Sequence, residues 1–396
     1  MPKGVVVTGM GVVTCLGFGV EENLLALKSG RHGIAPPELL RTFHHEMPLG
    51  EVRADRGELI SRSGPTHPPF WSRTALIALI AAREALQMAQ ITPNHLTGLM
   101  NGTTVGGMDR TEDFYPGFME NERHGHMREV FNHDCGGTSE QLAEELGVRG
   151  FLASINTACS SSVNTIMLAA RMIRAGRIKN AIAGGADGLS RFTLNGFNSL
   201  MILDKELCRP FDQSRKGLNL GEGAAYVVLE TEEDALKSGK RILARVSGYA
   251  NTNDAHHQTA SSPDGTGARM AMEEALKEGG LRPADIDHIN AHGTATPNND
   301  ETEAAAIRTV FASSPPVTST KSFTGHTLGA AGAVESVFSI LSIGEQMMFP
   351  TLRLENPLSE HPLTYVTSPE NRTVNHVLSN SFGFGGNCSS IIFSRP

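Results

Sequence analysis

The chain has 396 residues, 39% of them hydrophobic and 19% charged, with a net charge of -8. That length buries a large core and allows two or three folding units, while the acidic balance leaves no uniformly basic face for nucleic acid or an anionic membrane. Five cysteines (Cys15, Cys135, Cys159, Cys208, Cys388) are scattered, odd in number and free of C-x-x-C spacing, which argues against zinc sites or redox dithiols and for a reducing cytoplasm.

Residues 1–17 have neither a sustained apolar h-region nor a small-residue cleavage site. No stretch approaches the roughly 20 apolar residues of a membrane span, so a soluble protein is expected. Gly4-Val5-Val6-Val7-Thr8-Gly9 reads as a buried strand entering a turn, and a helix follows from Glu21. Apolar spacing predicts a helix over 74–88, then a link over 91–96 and a short strand ending in Gly102-Thr103-Thr104. Residues 109–137 are rich in Phe, Met and His without clear periodicity, and read as an insertion covering the first unit. A strand end and charged helix over 229–239 mark a boundary. The earlier order then returns as a helical pattern over 267–276, a proline-bearing link over 281–286, and a strand running into a turn over 289–294. Pro93 and Pro283 are 190 residues apart, Gly102 and Gly293 are 191 apart; a near-constant offset suggests a duplicated α/β unit, with chance correspondence as the alternative. Short Val/Ile/Ala-rich strands alternating with helices indicate α/β architecture with buried sheets.

Four segments carry chemistry. In Thr157-Ala158-Cys159-Ser160-Ser161-Ser162 the cysteine sits where a strand turns into a helix, so unpaired helix N–H groups and the dipole favour its thiolate. A small buried cysteine packing a tight turn is the alternative. His292, in Ala291-His292-Gly293-Thr294-Ala295-Thr296, ends a strand. His326, in Lys321-Ser322-Phe323-Thr324-Gly325-His326, enters a helix of small residues. Either histidine alone reads as structural; the setting shared with Cys159 points to a site. In Ser381-Phe382-Gly383-Phe384-Gly385-Gly386-Asn387 a glycine-rich turn lets backbone N–H groups approach a ligand, or is a turn without function. Gly9-Met10-Gly11-Val12-Val13-Thr14 lacks the third glycine of a dinucleotide fingerprint, and Glu21 and Glu22 come too early for a ribose contact. His44-His45, His124-x-His126 and His256-His257 lack metal-ligand spacing and read as exposed loop histidines.

In order along the chain, T-A-C-S-S-S, A-H-G-T-A-T, K-S-x-x-G-H and G-F-G-G resemble the β-ketoacyl-acyl carrier protein synthases of the type II elongating kind, over almost the whole sequence. The resemblance implies a thiolase-like fold, a five-layered α-β-α-β-α sandwich of two similar halves. Residues 1–235 would carry the nucleophile and 236–396 both catalytic histidines, in a homodimer. It implies a decarboxylative Claisen condensation of a malonyl thioester with an acyl chain on Cys159, with His292 and His326 stabilising the enolate. Lys321 matches the family lysine, and Asp300, Glu303 and Glu335 match carboxylates of the supporting polar network. The backbone N–H groups of Cys159 and Phe384 match the oxyanion hole, Phe384 the aromatic gate, Thr294 and Thr296 the pantetheine-binding hydroxyls, and Val105 an acyl-pocket residue. No cofactor or metal is implied, because substrates arrive on the phosphopantetheine of acyl carrier protein, the expected partner.

The sequence also departs from the family. The basic cluster that docks carrier protein is thinned over 61–72, leaving Arg62, Arg73 and, further on, Arg209; Asn387-Cys388 stands where Thr-Asn is usual. These departures keep open a specialised synthase of an aryl-polyene, flexirubin-type or other polyketide pathway, with a non-catalytic chain-length partner. A degradative thiolase would need a second cysteine in a C-x-G pattern, which Cys388 lacks, and a non-catalytic subunit would lack Cys159.

Overall fold

A computed structural model describes residues 4–396. Its first strand, Val5–Thr14, is buried at all ten positions. A strand with sheet neighbours on both edges and helices on both faces has no solvent side, which is why it reads as a continuous apolar run instead of an alternating one. Outward from it lie Gly223–Thr231, Asn180–Asp187, Thr97–Gly102 and Leu152–Ile155, joined by two antiparallel and then two parallel pairings. A second set repeats that pattern: from Ala244–Asn253 outward come Asn387–Ser394, His376–Gly383, His288–Asn290 and Val317–Thr318, again two antiparallel and two parallel pairings. The sets meet where Val6 and Val7 pair with Arg245 and Ala244. The duplicated unit suggested by the 190-residue offset is thus a repeated five-stranded topology.

Helix Arg73–Ala89 covers the outer face of the first sheet and helix Thr266–Gly279 that of the second; helices Ser161–Arg174 and Ala331–Glu345 pack against each other between them. This is the expected five-layered sandwich. The outer helix starts where Ser72 Oγ accepts the Ala75 N–H at 3.1 Å, a side-chain cap. In the middle layer, helix Ala331–Glu345 is buried from Ala331 through Ile343. Contrary to the sequence expectation, one stretch, Leu328–Glu345, is long and apolar enough to cross a membrane, but 89% of it is buried inside the protein. It is the core helix of a sandwich.

Residues 109–137, without clear periodicity in the sequence, nevertheless carry regular structure. Helix Met108–Glu120 runs through Pro116, a short 3₁₀ turn spans Met127–Glu129, and helix Cys135–Leu146 follows. The helical period is hidden because only Phe114 of the first helix is buried, whereas Tyr115, Met119, Met127 and Phe131 face outward.

The two middle helices approach closely at Gly332, where a Cβ would lie 2.8 Å from the Val163 Cβ and 2.9 Å from Ser381 Oγ. Gly332→Val is expected to cost about 1–3 kcal/mol by overpacking, read as a lower midpoint in denaturant unfolding; an unchanged midpoint contradicts the close crossing.

Candidate active site

The nucleophile and the histidines come from different halves of the sandwich. After strand Leu152–Ile155 the chain makes a tight turn in which Ala158 takes φ 52°, a strained conformation for a residue with a Cβ. Ser161 Oγ locks the turn, accepting from the Thr157 N–H at 2.9 Å and donating to the Ala158 carbonyl at 2.6 Å. Cys159 is left 6% exposed at the start of helix Ser161–Arg174. His292 follows strand His288–Asn290, and His326 sits between helix Lys321–Thr324 and the 3₁₀ turn Leu328–Ala330. Cys159 Sγ lies 3.0 Å from His326 Nε2, and the imidazole rings meet edge to face with centroids 5.4 Å apart.

Neighbouring donors set the tautomers. The Leu328 N–H donates to His326 Nδ1 at 3.1 Å, so that nitrogen is an acceptor and the ring proton sits on Nε2, facing the cysteine. Lys321 Nζ, which can only donate, lies 3.2 Å from His292 Nδ1, placing the proton of that ring on Nε2 too. Burial holds both imidazoles well below their ordinary pKa, and the Lys321 ammonium pushes the same way. Both rings are therefore neutral N–H donors.

Lys321 Nζ also donates to the His292 carbonyl at 2.6 Å and pairs with Glu335, each side chain only 3% exposed. Burial pushes the Glu335 carboxyl up to about 7, with Lys321 opposing. Glu303 accepts the N–H groups of His292 at 2.9 Å and Gly293 at 2.8 Å, and the Asn380 amide at 3.0 Å. Asp300 accepts the N–H groups of Phe211 at 2.7 Å and Ala295 at 3.1 Å. These two carboxylates hold the backbone around His292, including Ala295 at φ 69°.

Burial pushes the Cys159 thiol up to about 11, opposed by Lys321 and by backbone N–H groups of Phe384 and of Cys159 itself. The expectation of a favoured thiolate is corrected here: the helix N-terminus is present, but loss of water outweighs it. A cavity of about 330 Å³ opens over Cys159, with His292, His326, Thr294, Thr296 and Phe384 in its wall. Thr294 Oγ1 and Thr296 Oγ1 are 2.9 Å apart, and the half-buried Phe384 stacks on Phe197 at 5.8 Å. Val105 is not in that wall; it belongs to an apolar cluster with Leu328 and with Leu218, which does line the cavity.

The three arginines separate. Arg62 is exposed, paired with Glu58 at 2.8 Å and lying 4.2 Å over the Phe18 ring. Arg209 is half-buried beside Glu206 at 3.1 Å. Arg73 is no docking residue, because its guanidinium is consumed by Glu222 at 2.6 Å and by the carbonyls of Val52 and Ala54. Asn387 Oδ1 accepts from Ser160 Oγ at 2.6 Å, tying the departure after the G-F-G-G turn to the residue beside the nucleophile. Among the described residues the one grouping within reach of a metal ion is Cys159, His292 and His326 themselves, and the Lys321 ammonium beside them repels a cation. His124, His126, His256 and His257 are exposed. Motif reading missed Leu328, Asn219, whose carbonyl accepts the His326 N–H at 2.8 Å, and Asn380, because the first two act through backbone atoms and the third through another residue.

Fold and site together define a thiolase-like condensing acyltransferase. The model of the beta-ketoacyl synthase N-terminal domain matches residues 3–235 and that of the C-terminal domain residues 243–355, and the chain belongs to the beta-ketoacyl synthase family. It is 36% identical to a 3-oxoacyl-[acyl-carrier-protein] synthase 2 of Synechocystis sp., over 99% of this chain and 98% of that one. Among solved structures it superposes on a chain of the ishigamide ketosynthase/chain length factor with a TM-score of 0.95 at 30% identity, covering all of both chains. A second match, with a TM-score of 0.91 at 27% identity and full coverage of both chains, is to a chain from the complex of a type II polyketide synthase acyl-carrier protein with its ketosynthase bound to the hexaketide.

Replacing Lys321 by Met strands a buried carboxylate and is expected to cost about 3–5 kcal/mol. Because the folded state holds the Glu335 proton more tightly than the unfolded chain does, its contribution falls as pH rises from about 4.5 toward 7 in wild type and variant alike; the Lys321→Met deficit widens above about 7, where the wild type ionises Glu335 against the ammonium and the variant has no counter-charge for it. Lys321→Met with Glu335→Gln should recover most of the loss in denaturant unfolding; equal losses in the two variants contradict the pairing.

Proposed function

We propose that the protein is a 3-oxoacyl-[acyl-carrier-protein] synthase that condenses a malonyl thioester with an acyl chain held on Cys159. The observation that carries this reading is the convergence of Cys159 with two neutral imidazoles, His326 Nε2 lying 3.0 Å from its sulfur and the His292 ring meeting the His326 ring at a centroid distance of 5.4 Å. In the first half-reaction the Cys159 sulfur attacks the acyl thioester of carrier protein. The acyl group moves to Sγ, and the pantetheine thiol leaves with the proton lost by Cys159. In the second, the carboxylate of the malonyl thioester departs as carbon dioxide, leaving an enolate whose oxygen takes hydrogen bonds from His292 and His326. Its carbon attacks the acyl-cysteine, the backbone N–H groups of Cys159 and Phe384 receive the tetrahedral oxyanion, and expulsion of the Cys159 thiolate gives a 3-oxoacyl thioester two carbons longer.

Lys321 keeps His292 neutral and in the donating tautomer, with Glu335 as its counter-charge; Glu303 and Asp300 hold the strand-end backbone. Thr294 and Thr296 would take the pantetheine arm, with Phe384 as the gate. Arg62 and Arg209 remain candidates for docking acidic carrier protein. We read no cofactor into the chemistry. Five free cysteines, four of them buried, fit a cytoplasmic setting.

A second reading, a polyene or polyketide synthase working with a related subunit, is favoured by the TM-score of 0.95 to the ishigamide ketosynthase/chain length factor. The outer edge of the first sheet also suits a partner, since Phe151 and Leu152 there are 39% and 38% exposed. An open edge of that kind is one a second chain closes, either another copy or a cysteine-less relative.

Incubation with saturated and polyenoic acyl-carrier thioesters should add one acyl mass to the wild type and none to Cys159→Ala, the preferred chain separating the two pathways. His292→Ala and His326→Ala should each lower carbon dioxide release from malonyl-carrier by about 10²–10³-fold. Acylation elsewhere than Cys159 overturns the reading.

A further inference from the structure

Strand Asn180–Asp187 ends in a carboxylate that nothing in the chemistry above uses. Asp187 is 0% exposed, and the groups around it are neutral donors. Thr103 Oγ1 donates at 2.6 Å, Thr104 through its N–H at 2.9 Å and its Oγ1 at 2.6 Å, the Val105 N–H at 3.1 Å, and the Gly329 N–H at 2.7 Å. The first four belong to one loop of the N-terminal half. The last belongs to the C-terminal half, in the 3₁₀ turn Leu328–Ala330, next to the residue whose N–H fixes His326. Leu328 sits at φ 53°, so its N–H stays aimed at Nδ1 only while something outside the turn holds it in place.

We propose that Asp187 is the positioning residue for His326: by gripping Gly329 it keeps the Leu328 N–H on Nδ1, and so keeps the donating proton on Nε2 over Cys159. The inference rests on the condensing reading above. The same carboxylate pins the loop that carries Val105, so the apolar cluster around that residue and the tautomer of the catalytic ring share one anchor.

An isosteric amide cannot replace it. Asn has one acceptor oxygen, so Asp187→Asn must turn its NH₂ toward either the Gly329 N–H or the backbone N–H groups of Thr104 and Val105. Gly329→Ala attacks the same contact from the other side, since its Cβ would lie 2.8 Å from Asp187 Oδ2 and 3.0 Å from Thr104 Cγ2.

The test uses the full chain labelled with ¹⁵N-histidine, with His326→Ala to assign the ring signals. Wild type should show His326 protonated at Nε2. Asp187→Asn or, if that variant does not fold, Gly329→Ala should move a large share of molecules to the Nδ1–H tautomer. Carbon dioxide release from malonyl-carrier, counted per acylatable Cys159 so that misfolded enzyme drops out, should fall at least ~10-fold. If the folded variants keep the Nε2–H signal and wild-type turnover, the proposal is overturned. A wild type that neither acylates Cys159 nor releases carbon dioxide would instead sink the condensing reading, and the tautomer signal still tests Asp187 by itself.

Discussion

Lys321 brings a positive charge into a place where almost no water reaches, and much of the site is arranged around that fact. Its ammonium meets Glu335 from the middle-layer helix and both the carbonyl and Nδ1 of His292. An isolated ammonium at 3% exposure would be too costly to keep; with a carboxylate and two acceptors it is held. Once held, it disfavours protonation of the imidazoles beside it. A buried pair of little value for stability thus has a chemical consequence, since it keeps two rings neutral and able to donate to a developing oxyanion.

The same dry environment works against the nucleophile. Desolvation raises the Cys159 thiol, and only Lys321 and two backbone N–H groups pull it back. The groups that would receive a tetrahedral oxyanion are those that favour the thiolate, so one arrangement serves the entry and the exit of negative charge at this point. The duplicated topology brings the parts together. Each half ends its strands at the centre of the sandwich; one supplies the cysteine turn and Asp187, the other the two histidines and Lys321.

Much of this was readable from residue order. Strands such as Val5–Thr14 show as apolar runs because both faces are covered, and the repeat shows because two units of the same topology keep nearly the same spacing between proline and glycine. The cysteine, both histidines and Lys321 lie in motifs whose small neighbours mark strand-to-helix turns. What the order of residues conceals is depth. Arg73 looks like a surface cation until Glu222 and two carbonyls are found around it, and a helix start promises a thiolate until its burial is known. Helix Met108–Glu120 has no legible period because Tyr115 and Met119 face out while Phe114 alone is buried. Asp187 has no motif at all, since it acts through the backbone of a loop from each half.

Everything above depends on two rings that stay neutral where free histidine would titrate. Ring-nitrogen shifts of His292 and His326, followed by ¹⁵N spectroscopy from pH 5 to pH 8, measure that directly. Signals of neutral imidazole that do not move across the range are the expected result. A ring that takes up a proton near its ordinary pKa of about 6.5 would contradict the account, because a site with that property holds no pair of neutral donors for the enolate.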